Sequence, residues 1–449
     1  MPNNEGDLFC AGSTWTPEGK LLVAGGTAIY GSGGQGWGGG ELIYLFDPLL
    51  PLPQAWVLQD ERMLRPRWYP TLTMLGDAQD RVLSFGGLSL GLTDVKNTYE
   101  EYTVKIDAST GLAQSDSVSV SPVLYDGPDP PPGSFGNDHW LGLYPRTNLL
   151  SNGEVFLSGY TQDSASLEHV TGVSDSDWNH DDTAEVRRHG GGSVLFPNFA
   201  GYEDVIMAIG GRNNAGTTNV VTDSVQWARI SGASPSAWIW NDSWPDLGQA
   251  RWRANTTLLP DGSVLVVGGN TVPGNETTEV PTTTSERFYL DAQGVGHWQS
   301  NLPAPNGPRT YHSAAVLLPS GKVFIAGGNS RDWDYQVYVP GYLTSGLEQP
   351  VLTNVPGVIN YGANQVVQIS HLDMASTDVE RIVLMRPASV THHNDYDQRY
   401  VELDVLSATD TSITVAAPLD ANHAPRGYYM VFAVSAQGTP SEAGWTLLR

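Results

Sequence analysis

The chain lacks the residues that would cross-link it or draw it to a polyanion. Its 449 residues contain a single cysteine, Cys10, and lysine occurs only at positions 20, 96, 105 and 322. One thiol cannot form an intramolecular disulfide, so Cys10 is either a small buried hydrophobic residue or a reactive group. The formal net charge of -25 repels phosphate backbones and anionic membrane surfaces, which argues against nucleic acid as a partner. Small neutral substrates are compatible with this charge.

Long hydrophobic runs are missing as well. No window approaches the roughly 18 apolar residues of a membrane span, so none is expected. Residues 1–7 lack the cationic and apolar regions of a signal peptide. This beginning leaves three interpretations open: a cytosolic protein, a mature form given an initiator Met, or a chain without its natural start.

Glycine and short apolar runs are abundant instead. The 50 Gly and 30 Pro are spread between these runs, and amphipathic helical patterns are nearly absent, which predicts an all-β chain and argues against a doubly wound α/β fold. Six runs ending in small residues recur near the kelch period of about 50 residues. They are residues 21–26, 82–87, 155–159, 205–211, 264–269 and 323–328. The repeat predicts a kelch-type β-propeller, whose blades cover one another's faces.

The repeat stops near residue 345. Beyond it, short alternating segments at 366–369, 382–385, 400–405, 413–415 and 428–434 are typical of an Ig-like β-sandwich. The expected domains are therefore a propeller over residues 1–345 and a sandwich over 346–449. The acidic stretch 161–189 is interpreted as an excursion between blades, and its His169, His180 and His189 are expected to be solvated rather than metal-binding.

Several motifs together carry a resemblance to a known family. They are residues 9–12 (FCAG), 67–71 (RWYPT), 97–100 (NTYE), 143–146 (LYPR), 308–313 (PRTYHS), 391–392 (TH) with 398–399 (QR), and 427–430 (GYYM). In these motifs the chain resembles the copper radical oxidases of the galactose oxidase and glyoxal oxidase family, over nearly its whole length. It is more similar to the glyoxal oxidase branch.

The resemblance implies one copper ion on the propeller axis, with one ligand reaching in from the C-terminal domain. It implies Tyr69 and His312 as equatorial ligands, Tyr311 as axial ligand and general base, and His392 as the ligand from the sandwich. It also implies a thioether between Cys10 and the ring of Tyr69, which makes a protein-derived cofactor. Imidazole with phenolic oxygen suits Cu(II), and the lack of a thiolate pair or clustered carboxylates argues against zinc, calcium and magnesium.

A neighbouring histidine, His393, competes with His392 for the ligand role. The family places its ligand directly after Thr and six residues before the Gln-Arg pair, and His392 meets both conditions. His393 is then expected behind the ligand or exposed to solvent. The remaining histidines are expected to be structural: His139, His297, His371 and His423.

The implied function is the two-electron oxidation of a small aldehyde or a primary alcohol, with O2 reduced to H2O2. Copper takes one electron, so the Tyr69 radical is needed for the second. The resemblance also implies an extracellular or cell-surface location, and a monomer is expected. The alternative is a kelch and Ig-like module that binds glycans or a protein and does no redox chemistry.

The chain departs from the family pattern in two places. Family members carry seven blades, yet only nine residues precede Cys10. A propeller closed by six blades, a truncated N-terminus and strands supplied in another way are all left open. The second departure is Leu88, which stands where galactose oxidase stacks a Trp over the cross-linked Tyr, so the residue that shields Tyr69 is not identified.

Overall fold

Strands make up nearly all the regular structure of this chain. The computed structural model describes residues 7–30, 38–89, 98–106, 113–120, 125–126, 141–158, 164–168, 177–179, 184, 186–197, 204–213, 218–232, 236–274, 278–329, 334–370 and 378–449. Within those ranges helical structure is confined to a 3-10 turn, Gly341–Leu343, and to Asp378. None of these residues forms a helix with the length and apolar character that a membrane span needs. The all-β prediction is confirmed.

The first three sheets follow one another along the chain. The first contains β1 (Asp7–Trp15), β2 (Leu21–Ile29), β3 (Gly38–Gly39), β4 (Ile43–Phe46) and β5 (Trp56–Leu58), in the order β1-β2-β4-β5 with β3 beside β2. The second contains β6 (Thr71–Met74), β7 (Arg81–Phe85), β8 (Thr98–Ile106), β9 (Ala113–Val120) and β10 (Tyr125–Asp126), in the order β10-β8-β7-β6 with β9 beside β8. The third runs through β11 (Arg146–Leu149), β12 (Val155–Ser158), β13 (Ala165–Glu168) and β14 (Asp177–Asn179).

Three further sheets complete the repeating part. The fourth pairs β15 (Gly192–Phe196), β16 (Asp204–Ile209), β19 (Val225–Ile230) and β20 (Trp238–Asn241), and a separate ribbon joins β17 (Arg212–Asn213) to β18 (Val220–Val221). The fifth contains β21 (Asn255–Leu258), β22 (Val264–Val267), β23 (Thr284–Leu290) and β24 (Gly296–Pro303). The sixth contains β25 (Ser313–Leu317), β26 (Val323–Gly327) and β27 (Tyr335–Tyr338).

Each predicted apolar run lies on the second strand of one of these six sheets, namely β2, β7, β12, β16, β22 and β26. In five of the six sheets a glycine pair lies at the end of the run and lets the chain pass close to the next sheet. At Gly268, where φ is +71°, an added Cβ would lie 2.2 Å from the carbonyl oxygen of Arg309, a position only glycine fills without strain. The first strand of each sheet packs beside the first strand of the next, from β1 through β6, β11, β15 and β21 to β25. A seventh blade stays a prediction.

The C-terminal residues form two facing sheets. One is ordered β28 (Val351–Asn354), β30 (Asn364–Ser370), β36 (Ser412–Ala416) and β35 (Val405–Ala408). The other is ordered β29 (Val358–Ile359), β38 (Gly444–Leu448), β37 (Gly427–Ser435), β31 (Val379–Met385) and β34 (Tyr400–Leu403). A buried apolar core lies between them, so the predicted sandwich is confirmed. The division at residues 345 and 346 stays a prediction.

A short hairpin joins this sandwich to the repeating sheets. Its strands, β32 (Val390–Thr391) and β33 (Asn394–Asp395), pack against β1, β21 and β25. The sheet that contains β31 and β37 is buried on both faces, because Val383 and Phe432 point away from the sandwich core into the cluster that holds Val264 and Val323. Burial of each such side chain contributes about 1.5–3 kcal/mol. The hairpin is thus held among the first strands of the sheets.

Candidate metal centre

The predicted site residues come from three kinds of position in the chain. Cys10 lies on β1, while Tyr69 stands two residues before β6, and Tyr311 with His312 directly precedes β25. His392 lies in the turn of the hairpin β32–β33. Since β6 and β25 are first strands of their sheets, the residues that precede them lie at one end of the ring of strands. The structure brings all five side chains together there.

Unusual backbone conformations are concentrated at this place. Nine non-glycine residues in the described ranges have positive φ. Seven of them border the site: Cys10, Tyr69, Tyr144, Arg253, His312, His392 and His393. Such conformations cost about 1–3 kcal/mol each and persist only where the surrounding structure imposes them. These conformations therefore lower the free energy of unfolding, and the fold maintains them because they orient the side chains of the site.

Cys10 and Tyr69 lie side by side in a buried cluster with Tyr144 and Tyr311. The amide of Tyr69 donates to the carbonyl of Cys10 at 3.0 Å, and the two side chains also contact each other. The hydroxyl groups of Tyr69 and Tyr311 are in hydrogen-bond contact. Burial raises the pKa of the Cys10 thiol to about 12, so Cys10 is a protonated thiol at neutral pH.

His312 presents a neutral imidazole with one nitrogen available. Its Nδ1 lies 2.6 Å from the Oδ1 of Asn329, whose amide nitrogen in turn donates to Glu279 at 3.1 Å. Because an amide oxygen only accepts, Nδ1 carries the proton. Burial lowers the pKa of His312 to about 4. Its Nε2 is buried and has no hydrogen-bond partner among the described residues, which is the state of a nitrogen that can bind a metal.

His392 faces His312 across the cluster, with ring centroids 4.5 Å apart. Its Nδ1 lies 2.7 Å from the hydroxyl oxygen of Thr391, and its Nε2 lies 3.4 Å from the Sγ of Cys10. Burial holds the pKa of His392 well below its usual range. His393 is buried rather than exposed, and its ring is 6.4 Å from that of Tyr311, compared with 5.3 Å for His392. His392 is therefore the better placed of the two.

The donor set has the composition that Cu(II) prefers. No group of three or more His, Cys, Asp or Glu side chains in the described ranges is close enough to hold a metal ion. The donor atoms that meet at this place are instead the two phenol oxygens and the two imidazoles. Neutral imidazole with oxygen donors is typical of tetragonal copper. The orphaned Nε2 of His312 and the contact between the two phenols fit such an ion.

Comparison with known proteins identifies the family of the chain. Residues 3–345 match the family model described as glyoxal oxidase N-terminus. The chain belongs to the glyoxal oxidase family. Residues 349–448 match the galactose oxidase-like, early set domain.

Two sequence relatives of this glyoxal oxidase family member carry oxidase names. It is 26% identical to the aldehyde oxidase GLOX of Vitis pseudoreticulata, over 98% of this chain and 82% of that protein. It is 25% identical to galactose oxidase of Gibberella zeae, over 97% of this chain. The chain spans only 60% of the length of that galactose oxidase.

A solved structure shows the same fold. It is that of a fungal alcohol oxidase of the AA5 family in complex with copper, with a TM-score of 0.77 and 20% sequence identity. The match covers 98% of this chain and 85% of the fungal one. At this identity the likeness supports the architecture of the glyoxal oxidase family member and not its substrate.

A cavity of about 420 Å³ opens beside the phenols of this family member. Phe9 and Trp68 form part of its wall. The indole of Trp68 meets the ring of Tyr69 edge-on, with centroids 4.2 Å apart. The backbone of Trp68 pairs in both directions with that of Leu88, at 2.8 Å each. The aromatic neighbour of Tyr69 that the sequence did not identify is therefore the residue directly before it.

The expectation that His189 is solvated is wrong, while its having no metal-binding role stays a prediction. It lies at the wall of the cavity and is partly buried, with its ring 5.9 Å from that of Trp252. Burial, and then the positive charge of Arg253, lower the pKa of His189 to about 3. His189 precedes β15 as Tyr69 precedes β6, so its place in the repeat decides its position. His139, His169, His180 and His371 lie outside the described residues, while His297 and His423 each contact an aspartate near the surface.

An arginine that recurs in the repeat could have identified further residues of the cavity wall from the sequence. Arg67, Arg251 and Arg309 are buried, and each donates to the carbonyl of the first glycine in the pair of its own sheet. Two residues after them stand Tyr69, Arg253 and Tyr311. Aligning the sheets on this arginine would have placed Arg253 at the site from the sequence alone.

Proposed function

We propose that this protein is a copper radical oxidase that oxidises a small aldehyde or a primary alcohol by two electrons and reduces O2 to H2O2. The observation that carries the proposal is the meeting of two phenol hydroxyls beside two neutral imidazoles and one buried thiol. A glycan-binding or protein-binding module has no use for that combination. The family name and the names of the relatives support the same reaction class.

The residues proposed to hold the ion are Tyr69, Tyr311, His312 and His392. His312 would bind through Nε2, because its Nδ1 is held by Asn329. His392 would also bind through Nε2, since Thr391 occupies its Nδ1. Bound copper would supply the capacity to take up one electron and would lower the pKa of a phenol or hydroxyl bound to it.

Tyr69 and Cys10 are proposed to supply the second electron acceptor. A thioether between the sulfur of Cys10 and the ring of Tyr69 would spread unpaired spin and make a phenoxyl radical on Tyr69 easier to form. The indole of Trp68 covers one edge of that ring, so we assign Trp68 the shielding role.

Tyr311 is proposed to be the general base. Its hydroxyl lies against that of Tyr69, so both groups reach one substrate carbon. Tyr311 accepts the hydroxyl proton of the alcohol or aldehyde hydrate, and the Tyr69 radical receives the hydrogen atom of the C–H bond. Bound copper would supply the acceptor for the one electron that remains, so that the substrate leaves as aldehyde or acid. O2 takes up the two electrons and two protons as H2O2, which balances the reaction.

One experiment tests the proposal. Copper is loaded anaerobically, air is then admitted, and the intact mass is compared before and after, followed by a peroxide assay with methylglyoxal and with a primary alcohol. We expect a mass lower by two hydrogen atoms and peroxide with at least one substrate. Cys10→Ser is the matched control, because serine cannot form the thioether and should keep its mass and lose most turnover. Copper uptake without mass loss and without peroxide would instead support the binding module.

A further inference from the structure

One side of the cavity beside the phenols is cationic, although the whole chain is strongly acidic. The net charge is -25, yet no Asp or Glu is among the described residues that line this cavity, whereas Arg146 and Arg253 are. The overall charge would disfavour an anion at most places on this protein. The cavity is therefore a local exception, and it lies at the reacting groups.

Arg253 is the arginine nearest to those groups. Its guanidinium carbon lies 3.8 Å from the ring centroid of Tyr311 and 4.1 Å from that of Trp252. The backbone amide of Arg253 donates to the carbonyl of Gly190 at 2.7 Å. Its φ of 60° fixes the direction of the side chain. The planar cation is thus held between two aromatic rings, directly over the proposed base.

The fold does not require a cation at this position. Tyr69 and Tyr311 occupy the corresponding positions of their own sheets, two residues after a buried arginine, and Tyr69 makes the same positive-φ turn. An aromatic residue therefore satisfies the turn equally well. Arg253 places a charge where the repeat elsewhere places a phenol.

Arg146 adds to the positive potential from the neighbouring wall. Its Nε donates to the carbonyl of Gly191 at 3.0 Å, and a terminal nitrogen donates to the carbonyl of Tyr144. These two hydrogen bonds fix the orientation of the guanidinium at the cavity wall. Burial first, and then the charges of Arg253, Arg212 and Arg146, lower the pKa of His189 on the same wall.

We propose that Arg253 binds the carboxylate of the substrate, so that the preferred substrates are short aldehydes that carry a carboxylate next to the reacting carbon. This inference rests on the proposed oxidase function. A guanidinium offers a planar pair of donors that matches the two oxygens of a carboxylate. Because Arg253 stacks on the ring whose hydroxyl is the proposed base, only a short molecule can reach both groups. The aldehyde hydrate then lies at Tyr311 and Tyr69 while the carboxylate lies at Arg253.

Binding to the copper-free protein tests this without turnover. Glyoxylate and methylglyoxal, one charged and one neutral, are titrated calorimetrically into wild type, Arg253→Gln and Arg253→Lys. We expect glyoxylate to bind more tightly than methylglyoxal in wild type, and its affinity to fall about tenfold or more in Arg253→Gln because a charge-assisted hydrogen bond is lost. Arg253→Lys should recover part of the loss. Methylglyoxal affinity should change less than about twofold.

A matched control and a second readout separate the inference from the proposed function. Arg62→Gln removes a guanidinium that donates to backbone carbonyls between β5 and β6, and it should leave both affinities unchanged. In the copper-loaded protein, peroxide formation should favour glyoxylate over methylglyoxal, and Arg253→Gln should reverse that preference. Equal binding of the two aldehydes by wild type, or equal losses for both in Arg253→Gln, would overturn the anion site. If the anion site fails in this way but methylglyoxal still yields peroxide, the proposed oxidase function is supported. Conversely, tight glyoxylate binding with no peroxide from any aldehyde supports the anion site and contradicts the oxidase function.

Discussion

The site has two halves, one from the propeller and one from the hairpin of the C-terminal sandwich, and they differ in how the sequence positions their residues. The propeller half supplies Tyr69, Tyr311 and Arg253 from one repeated position in the sequence, each two residues after a buried arginine. The other half supplies His392 once, from a hairpin that belongs to the C-terminal sandwich and has no counterpart in the repeat. A repeated position lets the side chain change from sheet to sheet, as between Tyr69 and Arg253, which share a positive-φ backbone. The hairpin has no such freedom, because its position depends on how the two domains pack.

Within the propeller half, removing one hydroxyl at a time separates the roles of the two tyrosines. Tyr69→Phe should prevent the mass loss on copper loading in air and abolish peroxide formation, since an unsubstituted phenyl ring forms no thioether. Tyr311→Phe should keep the mass loss and reduce turnover about 10²–10⁴-fold, the usual contribution of a general base. Intact mass and peroxide rate are measured on both. A mass loss in Tyr69→Phe would show that another residue is cross-linked.

The next comparison concerns the residues that hydrogen-bond to the imidazoles of His312 and His392. Asn329 holds Nδ1 of His312 in the propeller half, and Thr391 holds Nδ1 of His392 in the hairpin half. Asn329→Ala and Thr391→Val should each weaken copper binding about 10–100-fold, because such partners orient a ligand and fix its tautomer. Copper affinity is measured by chelator competition. Asn241→Ala, on β20, is the control that should change nothing, and an affinity loss there would show that the assay reports general stability.

Docking of the hairpin half depends on a buried carboxylate. Asp397 accepts from the hydroxyl of Thr14 at 2.7 Å and the amide of Trp15 at 2.6 Å, and lies 3.6 Å from the guanidinium of Arg386. Asp397→Ala should lower the free energy of unfolding by about 3–5 kcal/mol, because a buried guanidinium loses its charge partner. Urea unfolding measures it. Asp410→Ala, at an exposed turn, should change it by less than about 0.5 kcal/mol.

The sequence predicted the propeller half more completely than its surroundings. Spacing and resemblance brought Cys10, Tyr69 and His392 to one place, because the family motifs sit on the first strands and on the hairpin turn. His189 was misjudged because its polar neighbours in sequence suggested solvent, whereas its place before β15 directs it to the cavity. Arg253 was overlooked because a single arginine carries no signal without the repeat that aligns it with two tyrosines. Partners such as Asn329 depend on packing between loops, which no local pattern encodes.

A final comparison concerns pH, because the hairpin half contains a carboxyl that titrates near neutrality. Burial raises the pKa of Asp395 to about 7, above its value of about 3.9 in an unfolded chain. The folded state therefore holds the proton more tightly, so this group contributes stability at low pH that is lost as the pH rises towards 7. Asp395→Asn keeps an oxygen for the amides of Ser389, Asp397 and Gln398, which all donate to one Oδ1, but it cannot ionise. The variant should gain stability relative to wild type between pH 5 and pH 8, by at most a few kcal/mol. Unfolding free energies at the two pH values measure the gain, and an unchanged difference would mean that Asp395 is ionised in the folded protein throughout.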